Sequence, residues 1–152
     1  MIGSLATLNS CKKGDTGPAG KDGVDGNANV TSLIVTISSS QWTFSNNEYD
    51  ATISVPAITQ SIITSGTVQV FCSPDGANWL ALPFSFQGYE INYGYLVGQV
   101  QIAITLNNGG NPGQPNNNQF KIIVISSAAR IAHPNVNWNN YNEVKKIFNL
   151  AD

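Results

Sequence analysis

Gln99-Val100-Gln101-Ile102-Ala103-Ile104-Thr105-Leu106 decides the fold class. Val100, Ile102 and Ile104 alternate with Gln99, Gln101, Ala103 and Thr105, a period of two that belongs to a strand and not a helix. One face is apolar and the other polar, as in a sheet that covers a core and meets water. The same signal recurs outward along the chain. Residues 89–97 pair with this strand across Gly98, a tight turn or bulge. Residues 67–73 and 78–85 flank Pro74-Asp75-Gly76-Ala77 and read as a hairpin. Residues 31–38 and 49–55 are rich in β-branched side chains, and the second run stops at Pro56. Ile122-Ile123-Val124-Ile125, inside 120–125, is unbroken and predicts a central strand covered on both faces. Seven to eight short strands at spacings of about ten residues predict a mainly β chain, an antiparallel β-sandwich of Greek-key or jelly-roll type.

Three segments interrupt the strands. Ile58, Ile62 and Ile63 predict a turn or two of helix before Gly66. Residues 107–118 form an Asn/Gly/Pro loop with no apolar content. Near the end, Asn140 caps a helix with Glu143 closing a capping box. That helix, residues 141–150, carries Val144, Ile147, Phe148 and Ala151 on one face and Lys145 and Lys146 on the other.

Composition bounds the function. The 152 residues suffice for one domain with a real core. Only 11% are charged, the net charge is −2, and 41% are hydrophobic. So sparse a field cannot neutralise a run of phosphates, which excludes nucleic acid as a partner. Polarity comes instead from amides and hydroxyls, with 19 asparagines.

The residues do not assemble an enzyme. His133 is the one histidine and sits beside Pro134 in a polar connector, so no Ser-His or Cys-His pair is expected. Zinc needs several Cys or His ligands, and the glycines lack phosphate-loop spacing. Glu48 and Asp50 share a strand face, where solvation is the ordinary outcome, and do not oppose each other across a cleft. Asp15-Thr16-Gly17 has the aspartic-protease tripeptide without a folded partner for a dyad. No catalytic residue, cofactor or metal is expected. Aromatic side chains are the better candidates: Trp42, Tyr89, Tyr93 and Tyr95 could stack on sugar rings from one exposed face. Against that, Ile91 shares the parity of the three tyrosines, which argues for burial.

The N-terminal residues divide the chain further. Residues 1–11 are small and apolar and end at Cys11, like a lipobox in which the thiol takes a diacylglycerol. Met1-Ile2-Gly3 carries no basic residue, so the expectation is a signal that begins upstream of Met1. Residues 12–29 hold Gly14, Gly17, Gly20, Gly23 and Gly26 in strict Gly-X-Y register, a collagen-like tether that becomes helical if three heads associate. Residues 30–127 form the sandwich head, and residues 128–152 the connector and C-terminal helix. If Cys11 is acylated, Cys72 is a lone thiol on a strand, buried and inert. A Cys11–Cys72 disulfide requires the lipid to be absent.

Ser10-Cys11-Lys12-Lys13-Gly14-Asp15, the Gly-X-Y run, Ile53-Ser54-Val55-Pro56-Ala57-Ile58-Thr59, the Trp79…Leu82-Pro83 hairpin and Ala132-His133-Pro134-Asn135-Val136 together resemble collagen-like lipoproteins of Bacteroidota. The resemblance spans nearly the whole chain. It implies an outer-membrane lipoprotein with a β-rich head and lipidation at Cys11, and it implies no activity. Lys12-Lys13 stands where acidic residues often mark surface export, so the periplasmic and extracellular faces both stay open. The expectation is a lipid-anchored, non-catalytic envelope protein whose partner is an envelope protein or a glycan. The alternatives are a carbohydrate-binding module on a short stalk, or a homotrimeric structural subunit.

Overall fold

The computed structural model of the chain describes residues 29–150. The expected signal, lipobox Cys11, the Gly14–Gly26 triplets and Ala151 lie outside them. In chain order the elements are β1 (Val30–Ile37), β2 (Thr43–Ser45), β3 (Glu48–Ser54), α1 (Gln60–Ser65), β4 (Thr67–Ser73), β5 (Leu80–Ala81) and β6 (Phe84–Phe86). Then come β7 (Tyr89–Leu96), β8 (Gln99–Leu106), β9 (Asn118–Ile125), α2 (Ser127–Ala132) and α3 (Tyr141–Phe148). Two antiparallel sheets result, in the orders β1-β9-β4-β5 and β2-β3-β8-β7-β6. The fold is the mainly β, two-sheet architecture expected, with nine strands among the described residues.

The strand predicted over residues 78–85 is two strands. β5 pairs with β4 in one sheet and β6 with β7 in the other, so the chain changes sheets at Leu82-Pro83. Proline has no N–H for a ladder, and a continuous strand cannot run through it. The β2–β3 hairpin was also missing from the sequence pattern. It turns at Asn46-Asn47, both at positive φ, a conformation asparagine tolerates.

Val100, Ile102, Ile122, Val68, Val70 and Phe120 fill the space between the sheets. β9 is central and doubly covered, as its unbroken apolar run predicts. Phe120, Ile122 and Val124 face the other sheet, while Ile123 and Ile125 face a second layer built from Tyr141, Val144, Phe148 and Leu150.

That second layer is the C-terminal segment, with two departures from the sequence pattern. The helix stops at Phe148 because Asn149 adopts a left-handed conformation and turns Leu150 inward. Ile147 therefore stays exposed, and Tyr141 and Leu150 take its expected place in the apolar stripe. The Asn140 side chain accepts from the Glu143 N–H at 3.3 Å, but Glu143 reaches back to the Asn137 N–H, at 3.1 Å, in place of the capping-box partner. The connector also holds α2, capped by Ser126. α1 forms close to the expected place, capped by Thr59 and ended by Gly66, whose N–H bonds the Ile62 carbonyl at 2.9 Å.

Candidate functional site

The register defines two ends of the sandwich. Val30 and Thr67 both lie opposite Ile125, and Ser54 and Leu96 both lie opposite Gln99. The connection through α1 joins these strand ends, and the Gly98 turn is tied in by Val55 N–H to Gly98 O at 2.7 Å and Gly98 N–H to Ile58 O at 2.8 Å. The first described strand, β1, therefore begins at this end. At the other end Ile37 meets Asn118, Ser73 meets Gln119, and Tyr89 meets Leu106.

A groove of about 310 Å³ opens at that far end, between β6–β7 and the loop that precedes β9. Ile91 and Ile104, opposite each other on β7 and β8, form its floor. Phe84, Phe86 and Tyr89 form one wall. Alternation along β6 puts both phenylalanines on one face, where their rings stack with centroids 6.5 Å apart. Gln87 and Gly88, both at positive φ, make the tight turn that brings Tyr89 opposite Phe86. Phe86 is 60% exposed, a large apolar side chain held in solvent at the groove mouth.

Pro112, Gln114 and Asn116 form the opposite wall. This segment lacks regular structure, yet it is fastened at several points. Gln114 donates to the Ser39 carbonyl at 2.6 Å and accepts from the Tyr49 hydroxyl at 3.3 Å, and Asn117 accepts from the Ser39 N–H at 2.9 Å. Asn108 and Asn111 accept from the N–H groups of Gly110 and Gly113. The asparagines that look like loop filler in the sequence thus set the shape of the wall. No carboxylate, ammonium or guanidinium lines the groove. It can therefore hold a neutral ligand by ring contact and amide hydrogen bonds.

The four aromatic side chains proposed from sequence do not share a face open to solvent. Trp42 is buried at 6% exposure and packs edge-on against Phe120, so it belongs to the core. Tyr93 and Tyr95 stack at 6.4 Å on the inner face of their sheet, and the Tyr93 hydroxyl donates to the Val68 carbonyl at 2.9 Å across the sandwich. Burial raises the Tyr93 hydroxyl above its ordinary pKa, with Tyr95 adding to the effect. Only Tyr89 reaches the groove. The parity shared with Ile91 reported the inward face correctly, and the end position of Tyr89 leaves it half in water. Phe84 and Phe86 were missed, although Phe84-Ser85-Phe86-Gln87-Gly88-Tyr89 carries the signal: alternating aromatics into a tight turn and out to a third.

The remaining chemistry is dispersed. Glu48 and Asp50 lie on the outer face of β3. Partial burial, together with a hydrogen bond and like charge from Asp50, raises the Glu48 carboxyl. The His133 ring packs edge-on to Phe148, with centroids 4.9 Å apart. Cys72 is buried and its thiol is pushed up to about 11 by burial. Among the described residues no three His, Cys, Asp or Glu side chains gather where a metal could sit, and no helix is long and apolar enough to cross a membrane. Compared with known families, curated proteins and solved structures, the chain matches none.

Proposed function

We propose that this chain is a non-catalytic protein of the bacterial cell envelope, lipid-anchored through Cys11, whose sandwich head binds a ligand in the groove at the end away from the tether. One observation carries the binding role: Phe86, Phe84 and Tyr89 are presented beside a wall that hydrogen bonds have already shaped. A preformed wall spares the ordering entropy that a loose loop would lose on binding. Placing the groove opposite Val30 turns it away from the anchor, where a partner can reach it. The anchor reading is supported by the small residues before Cys11 and the Gly-X-Y run after it. Mass spectrometry of membrane fractions tests it: Cys11 should carry a diacylglyceryl group, and a Cys11→Ala chain that stays membrane-bound would refute the anchor.

A neutral glycan is the ligand class the groove favours. Flat rings beside amides, with no ionised group, fit sugar C–H faces and hydroxyls. A glycan array probed with the chain and with Phe86→Ala tests this. Hits that weaken at least about tenfold in the variant support it, since aromatic contacts contribute on the order of 1 kcal/mol each beyond their buried area. An array without hits at high protein concentration sinks the glycan reading.

A further inference from the structure

The end of the sandwich where β1 begins carries exposed apolar side chains of its own. Leu96 and Val97, each 55% exposed, form the tip of the β7–β8 hairpin, held in place by the two backbone hydrogen bonds of Gly98. Ile63 of α1 is also exposed, and Ile131 of α2 is 79% exposed beside Arg130, in a shallow cleft they share with Ser65. Single apolar side chains on a surface are ordinary, whereas four at one end of the sandwich, two of them adjacent at a hairpin tip, point to a contact. Charge separates the ends as well. Glu48, Asp50, Asp75 and Glu90 all lie toward the groove end, whereas residues 54–66, 94–99 and 125–134 contain no Asp or Glu and one permanent cation, Arg130.

We infer that this end is a membrane-contacting surface: the Leu96-Val97 tip, with Ile63, Ile131 and Arg130 at the same end of the sandwich, seats in the headgroup region of an anionic bilayer. The occupant follows from where the chain leads. Val30 emerges at this end, and residues 12–29 connect it to Cys11. That length holds the tip within roughly 60 Å of the lipid at full extension. Apolar side chains with a cation and no carboxylate fit the boundary between acyl chains and anionic headgroups. This inference rests on the proposed anchor for delivery to the membrane, while the contact itself belongs to the head.

Flotation separates the two. The full chain carrying Cys11→Ser, and so lacking any lipid, is mixed with vesicles of phosphatidylethanolamine containing phosphatidylglycerol. It should float with them, and adding Leu96→Asp and Val97→Asp should reduce partitioning at least about tenfold, because each removes buried methylenes and adds a charge. Thr52→Asp, on the outer face mid-sheet, should leave flotation unchanged. A chain that does not float, or a tip variant that floats as well as its parent, overturns the inference. A second readout does not depend on the folding of the double variant. In the Cys11→Ser background Val97→Cys supplies the reactive thiol, since Cys72 is buried, and an environment-sensitive dye placed there should brighten and shift to the blue with vesicles. Unchanged emission overturns the inference as well. Absence of lipid on Cys11 in cell-made protein removes the anchor reading and leaves the vesicle result standing.

Discussion

The Lys121 ammonium donates to the Tyr141 hydroxyl and lies 4.0 Å from the centre of the same ring. It sits 4.7 Å from the Trp79 ring as well, and Lys121 is fully buried. A cation so far from water must be held by its neighbours, and two ring faces and a hydroxyl supply part of that. The pairing ties the central strand β9 to the first residue of α3. Tyr141→Phe should cost about 1–3 kcal/mol, the penalty for removing an acceptor from a buried donor. Tyr141→Ala should cost about 3–5 kcal/mol, since packing is lost too. Denaturant melts read both, and a Tyr141→Phe chain as stable as its parent would show that the hydroxyl contributes nothing.

Gly66 ends α1 against the backbone of β9. A Cβ there would lie 2.6 Å from the Ile125 carbonyl oxygen and 2.9 Å from the Ile62 side chain. The carbonyl belongs to a central strand and cannot move aside, so Gly66→Ala should destabilise by about 1–3 kcal/mol. At Gly94 a Cβ meets open space. Thermal melts should therefore rank Gly94→Ala at or above the parent and Gly66→Ala well below it.

Trp42 and Phe86 should respond oppositely to truncation. Trp42→Ala opens the core beside Phe120 and should cost about 3–5 kcal/mol. Phe86→Ala removes a side chain already in solvent and should stay within about 0.5 kcal/mol of the parent. If Phe86→Ala unfolds the head, the groove wall is a structural element, and its exposure is no guide to binding.

Alkaline stability should follow Cys72 and Tyr93. Both are held above their ordinary pKa by burial, so the folded state keeps their protons more firmly than the unfolded chain does. Their contribution is complete below the unfolded values and disappears as pH rises through the folded ones, for Cys72 between about 9 and 11. Cys72→Ala should flatten part of that decline in melts taken across the range. A disulfide-exchange reagent should reach the Cys72 thiol at neutral pH only after unfolding.

Acid acts on Asp75. Its carboxylate accepts from the Asn78 N–H at 2.8 Å, from the Asn78 side chain at 2.6 Å and from the Ala77 N–H at 2.9 Å. These bonds hold it well below the usual carboxylate range. The stabilisation is present above the ordinary carboxylate value and is lost as pH falls toward the depressed one. Asp75→Ala should loosen the turn between β4 and β5 and weaken the acid dependence, visible as faster exchange of the Ala77 and Asn78 amides. A turn that exchanges at the parent rate would show that other contacts hold it.

Local pattern carried much of this fold. The alternation at Val100, Ile102 and Ile104, the unbroken run in β9 and the Asn140 cap each specify their own element, because the period of a side-chain pattern is the period of the backbone beneath it. It also gave the inward parity of Tyr93 and Tyr95. By itself the sequence determined a weakly charged, two-sheet β head with a C-terminal helix.

Partners distant along the chain were not legible. Whether an aromatic side chain is core or surface depends on which strand end it occupies and what lies opposite it. Shared chemistry put Trp42 and Tyr89 on one exposed face, yet Trp42 is core and Tyr89 lines the groove. Only the tertiary structure decided that β5 and β6 belong to different sheets, that Lys121 is enclosed under Tyr141, and that the groove and the apolar tip lie at opposite ends. Burial is set by the sum of neighbours in space, and the chain records only its neighbours in sequence.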